Sequence, residues 1–157
     1  MARTDSKALA KLKQSRDGGG GPVLVIPHCV LDSQAYLTLS GGAVRLLFDI
    51  AMQFNPKRKN NGKLLASRAH MFGHRGWASS DQLNKAKKEL IAHGLVVQTV
   101  QGLRPNKASW YALTWLPLDE IGGLEITAAH FPRGEYARWK PPTESPKRGP
   151  PKKNACP

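Results

Sequence analysis

The chain has 157 residues, enough for one domain with a sizeable core. Its 24 Lys and Arg against 11 Asp and Glu give a formal net charge of +13, so an acidic polymer is the natural partner. Two cysteines, Cys29 and Cys156, exclude a disulfide framework. No apolar run approaches the roughly 20 residues that cross a membrane, so a cytoplasmic protein is expected.

Residues 1–21 are polar and basic and end in Gly18 to Gly21, the composition of a flexible arm without the apolar stretch of a signal peptide. Val23 to Ile26 is a short apolar run stopped by Pro27, either a small strand or a packed extended arm. Cys29 is expected to be a small buried residue. Leu31 to Leu39 can form a short helix around Asp32-Ser33. Ser40 then stands as an N-cap before Ala43, Val44, Leu47, Ile50, Ala51 and Phe54, whose spacing marks one buried helical face. Gly41 and Gly42 weaken that first turn by up to about 1 kcal/mol each. Asn55 to Gly62 is a turn-rich basic loop, and Lys63-Leu64-Leu65 reads as a short strand. A second helix is expected within 66–76, although His70 to Gly76 is poor helix material.

The next segment is the most structured in pattern. Ser79 with Gln82 three residues on has the form of a capping box, and Gly94 stops the helix after His93. On a 100° wheel Leu83, Ala86, Leu90 and Ile91 make a core stripe with Lys87 at its edge. Asp81, Lys85, Lys88 and Ala92 fall opposite, with Gln82 and Asn84 on the flanks. Leu95 to Val100 and Ser109 to Trp115 are rich in β-formers and enclose a turn carrying Arg104 and Lys107. Trp110 and Trp115 are expected to pack in the core or the hairpin rather than offer stacking platforms. Residues 119–140 form an extension of unassigned structure. Prolines at 141, 142, 146, 150, 151 and 157 among lysines mark 141–157 as a disordered basic tail.

No chemistry-bearing pattern accompanies this. His70 and His74 have i, i+4 spacing but lack the neighbouring Glu of a zinc protease helix. His28-Cys29 has no activating base in sight, and Gly18 to Gly21 lacks the Lys-Ser/Thr of a phosphate loop. No catalysis, metal or cofactor is expected. The charge, by contrast, is concentrated: residues 56–107 hold eleven Lys or Arg against Asp81 and Glu89, an excess of nine positive charges.

Together these segments resemble a family of bacterial winged helix-turn-helix proteins found among phage, plasmid and integrative-element genes. The matching landmarks are Ile26-Pro27, Leu31-Asp32-Ser33, Leu39-Ser40 with Ala43-Val44 and Leu46-Leu47, Glu89-Leu90 with His93-Gly94-Leu95-Val96, and Leu113-Thr114-Trp115-Leu116-Pro117. They span about residues 23–118; the chain departs from the pattern at Gly41-Gly42 and at His70 to Gly76. The resemblance implies an α+β fold, a three-helix core with a C-terminal β-hairpin wing over 22–118, flanked by the basic arms. It also implies binding of double-stranded DNA and a place on the nucleoid, in transcriptional regulation or replication. The expected contact residues are Ser79, Ser80, Gln82, Asn84, Lys85 and Lys88 on the helix and Arg104 and Lys107 on the wing. Lys57, Arg58, Lys59 and Arg75 would add phosphate contacts. Two other readings remain open, a module whose basic surface docks an acidic protein and a non-specific RNA or single-strand binder. A homodimer or another protein partner is left undecided.

Overall fold

Four serines start the helical half of the molecule. The computed structural model describes residues 10, 22–103, 105 and 107–142; apart from Ala10, the arm at 1–21 and the tail beyond 142 lie outside the described residues. Ser33 accepts the backbone N–H of Tyr36, Ser40 that of Ala43, Ser67 that of His70 and Ser79 that of Gln82. Each cap satisfies an amide that a helix start leaves unpaired and contributes about 1 kcal/mol. The helices so started are α2 (Gln34–Leu37), α3 (Gly41–Ala51), α4 (Arg68–His74) and α5 (Ser80–Ala92), preceded by α1 (His28–Leu31). α6 (Glu135–Arg138) follows the strands. Where one helix was expected over 31–39 there are two single turns. Ser33 donates to the Val30 carbonyl at 2.6 Å, closing α1, and accepts from Tyr36, opening α2.

The strands β1 (Leu64–Leu65), β2 (Val96–Val100) and β3 (Trp110–Leu113) form an antiparallel sheet in the order β1-β3-β2, so the fold is α+β. Leu64 pairs with Tyr111 and Leu65 with Trp110; Val96 pairs with Leu113, and the β2–β3 ladder slips between Gln98 and Val100. The residue released there, Thr99, donates its hydroxyl to the Gly62 carbonyl and accepts the Glu125 N–H on its own carbonyl. Val23 to Ile26 belongs to no described helix or strand.

The core lies between α3, α5 and the sheet, with Leu46, Leu47, Ile50, Leu64, Met71, Leu83, Leu90, Leu95 and Leu113 at most 1 % exposed. Burying each such side chain stabilises the fold by about 1.5–3 kcal/mol. Met71 is what makes α4 a helix despite its glycine and histidines: tertiary burial outweighs poor propensity. Ala43, Leu47, Ile50 and Ala51 are buried as their spacing indicates, while Val44 and Phe54 are only half-buried and Leu46 and Asp49 join the buried face. On α5 the buried positions are Leu83, Ala86 and Leu90; Ile91, expected in the stripe, is 39 % exposed. The contact with α3 covers a stripe one residue narrower than the wheel suggests.

Residues 119–140, left unassigned from the sequence, pack onto the same core. Tyr136 belongs to the main core, Phe131 is buried, and the Gly134 N–H donates to Thr114 at 2.9 Å. Polar bonds fasten residues 119–140 as much as apolar burial does. Asp119 accepts the Asn61 N–H and Glu125 the Gln101 N–H. Among the described residues no helix is long and apolar enough to cross a membrane.

Candidate nucleic-acid interface

α5 carries the expected polar face. Asp81, Gln82, Asn84, Lys85, Lys88 and Ala92 are exposed, with Ser79 and Ser80 half-buried at its start. Lys87 is half-buried at the edge of the stripe, where desolvation pulls its ammonium below the ordinary 10.5. Glu89 stands on the same helix but takes no part in this face. Its two carboxylate oxygens accept the Ser40 backbone N–H and the Ser40 hydroxyl, both at 2.6 Å. That places a negative charge at the N-terminus of α3, where the helix dipole favours it, and ties α5 across α3. Asp81 is then the one acid among the outward residues named.

The turn leading into α5 is held by a cluster that the sequence reading did not anticipate. Asp49, buried at 5 % exposure, accepts the Trp77 indole N–H at 2.8 Å on one oxygen. Its other oxygen accepts from Arg75 at 2.7 Å. Arg45 donates to the carbonyls of Arg75 and Gly76, and its guanidinium lies 4.8 Å from the Trp77 ring centre. Arg75, expected as a phosphate ligand, thus has its guanidinium on Asp49. A lone acid on an otherwise apolar helix face, four residues after an arginine, was the available signal.

At the other end of α5, Gly94 has φ +71°, and a Cβ there would sit 3.0–3.2 Å from Glu135 and Tyr136 atoms. The chain reverses here into β2, which packs along α5 and carries the hairpin tip away from the helix C-terminus. Gly102 starts the tip, where a Cβ would approach the Ser109 nitrogen to 2.5 Å. The Ser109 hydroxyl accepts the Gly102 N–H, and the Lys107 N–H donates to the Leu103 carbonyl at 2.9 Å. Lys107 and Leu103 are exposed; Arg104 lies outside the described residues.

The third basic element lies elsewhere. Gln53 donates to the Leu65 carbonyl and accepts the Leu65 N–H, Asn60 bridges Gln53 and Asn55, and buried Asn61 binds Leu113 and Pro117. These amides hold a loop that leaves Lys57, Arg58 and Lys59 exposed, Lys59 at φ +48°. The loop enters β1 beside Leu113, whereas the hairpin tip adjoins Trp110, so the two basic elements sit at opposite ends of β3.

The His70 and His74 rings are 5.2 Å apart, and among the described residues no group of three metal-capable side chains occurs. Cys29 is exposed rather than buried, with its sulfur 3.8 Å from the Tyr136 hydroxyl, because α1 turns it outward; Cys156 lies outside the described residues. Trp77 and Trp115 are buried, the Lys63 ammonium covers Trp110 at 4.9 Å, and Trp139 stacks on His93 at 4.1 Å. No family model matches the chain, and comparison with curated proteins and with solved structures finds no match either.

Proposed function

We propose that this is a winged-helix protein that binds double-stranded DNA. Support for the class comes from the order α3-β1-α4-α5-β2-β3, with a β-hairpin directly after the third helix of the core. Within that class we place it among regulators of transcription or origin binders of mobile elements, two roles that share one binding chemistry.

The observation that carries the reading is the outward face of α5, where amides and lysines stand together and the nearby Glu89 is bound elsewhere. In a major groove, Gln82 and Asn84 would pair with adenine edges and Lys85 and Lys88 with guanine edges or phosphates. Ser79 and Ser80 at the helix start would meet the backbone, as would Lys107 and Arg104 on the hairpin. Lys57, Arg58 and Lys59 would reach phosphates at a separate place along the duplex. Arg75 contributes indirectly, by holding the turn before α5. The placement of the four tryptophans disfavours a single-strand binder, which needs exposed aromatic platforms.

The test is a binding titration at several salt concentrations with a duplex that the protein itself selects from a random pool. The affinity should fall with salt at a slope of several phosphates. Lys85→Ala with Lys88→Ala should weaken the selected duplex about 30-fold or more, at about 1 kcal/mol or more per lost contact. An unchanged affinity in that double variant would refute the role given to α5. Failure to bind any duplex near physiological salt would transfer the basic surface to an acidic protein partner.

A further inference from the structure

Residues 22–27, Pro-Val-Leu-Val-Ile-Pro, are an apolar, β-branched segment that lies outside every described helix and strand. Leu24 and Ile26 pack against the core and Val23 is half-buried, while Val25 is 66 % exposed. No described residue hydrogen-bonds the backbone N–H groups of Val23 to Ile26. The segment borders an apolar groove of about 740 Å³ whose far wall is formed by Phe48, Met52 and Trp115 among others, and none of the side chains lining it is charged. Phe48 and Met52 are themselves 38 % and 58 % exposed. A β-branched segment whose N–H groups have no partner among the described residues, beside an apolar surface, can pair with another strand.

We infer that the occupant is the same segment of a second copy, so that two chains join through an antiparallel ribbon of their 22–27 strands. The charge distribution argues for self-association through this particular surface. A chain of net charge +13 repels its copies almost everywhere, but neither 22–31 nor the groove contains a Lys, Arg, Asp or Glu. Antiparallel pairing about a twofold axis is also self-complementary: each strand edge meets the identical edge of its mate, and the outward valines pack across the axis or into the groove. Four residues per strand, with Phe48 and Met52, make an interface smaller than the roughly 800 Å² per partner of a standard complex. The dimer should therefore dissociate in the micromolar range.

Sedimentation of the full chain over about 1–500 µM decides the first point: a monomer–dimer transition is expected, and a monomer throughout overturns the inference, including the case of a groove that holds a small apolar ligand instead. Hydrogen exchange of the unaltered protein decides the second. Amides within Val23 to Ile26 should slow as the dimer forms; a dimer in which all four exchange at the monomer rate associates through another surface and overturns the assignment. Val25→Lys places like charges near the twofold axis and should raise the dissociation constant about tenfold or more, while Val25→Thr, which keeps the β-branched shape, should dimerise like the parent. A Val25→Lys variant that folds and dimerises as tightly as the parent also refutes it. None of these measurements uses DNA, so they stand or fall apart from the DNA-binding proposal.

Discussion

Asp49→Ala should destabilise the protein far more than a charge removal at the surface. The carboxylate is 5 % exposed and satisfies two donors, and its loss leaves the Trp77 indole N–H without a partner inside the core. An unsatisfied buried donor costs about 1–3 kcal/mol. Losing the charge-assisted bonds from Arg75 adds about 1 kcal/mol rather than the full value of a buried pair, because the Arg75 side chain is 33 % exposed and rehydrates. The total is about 3 kcal/mol, or a fall of about 10 °C in the unfolding midpoint for a domain of this size. Urea unfolding followed by tryptophan fluorescence measures it. Trp77→Phe supplies the control, since it deletes the donor and keeps most of the ring. In that background Asp49→Ala should cost at least about 1 kcal/mol less. A cost below about 0.5 kcal/mol, or one that is identical in the two backgrounds, would refute the reasoning.

Gly94→Ala should cost about 2 kcal/mol or more, since the residue has φ +71° and a Cβ would press on the α6 backbone; a midpoint within 2 °C of the parent would show that α6 yields freely. The pH dependence follows from His70, whose pKa lies below the ordinary 6.5 because of burial first and then the charges of His74 and Arg75. The folded state thus favours the neutral ring and the unfolded chain takes up the proton more readily. The stability this contributes is present above about pH 6.5 and is lost as the pH falls towards the lowered native value. Unfolding midpoints at about pH 7.5 and 5.5 should differ more for the parent than for His70→Gln, and equal differences would exclude His70 as the source.

Local chemistry was legible in one dimension. Ser40 and Ser79 cap helices, Gly94 ends α5, and the runs on either side of 101–109 pair as a hairpin, because each depends on residues within a few positions. The polar face of α5 was likewise legible, since its spacing alone sets which residues share a side. What the tertiary structure decided are matters of distant partners. Glu89 is withdrawn from the basic face by Ser40, 49 residues away, and Arg75 by Asp49, 26 residues away. Residues 119–140 belong to the domain because Asn61 and Thr99 hold them, the first across 58 positions. Lys57 to Lys59 and Lys107 look like neighbours in a charge count, yet the register of β3 separates them. Net charge is a sum over the chain, whereas a binding surface depends on where each charge points and whether a partner within the fold already holds it.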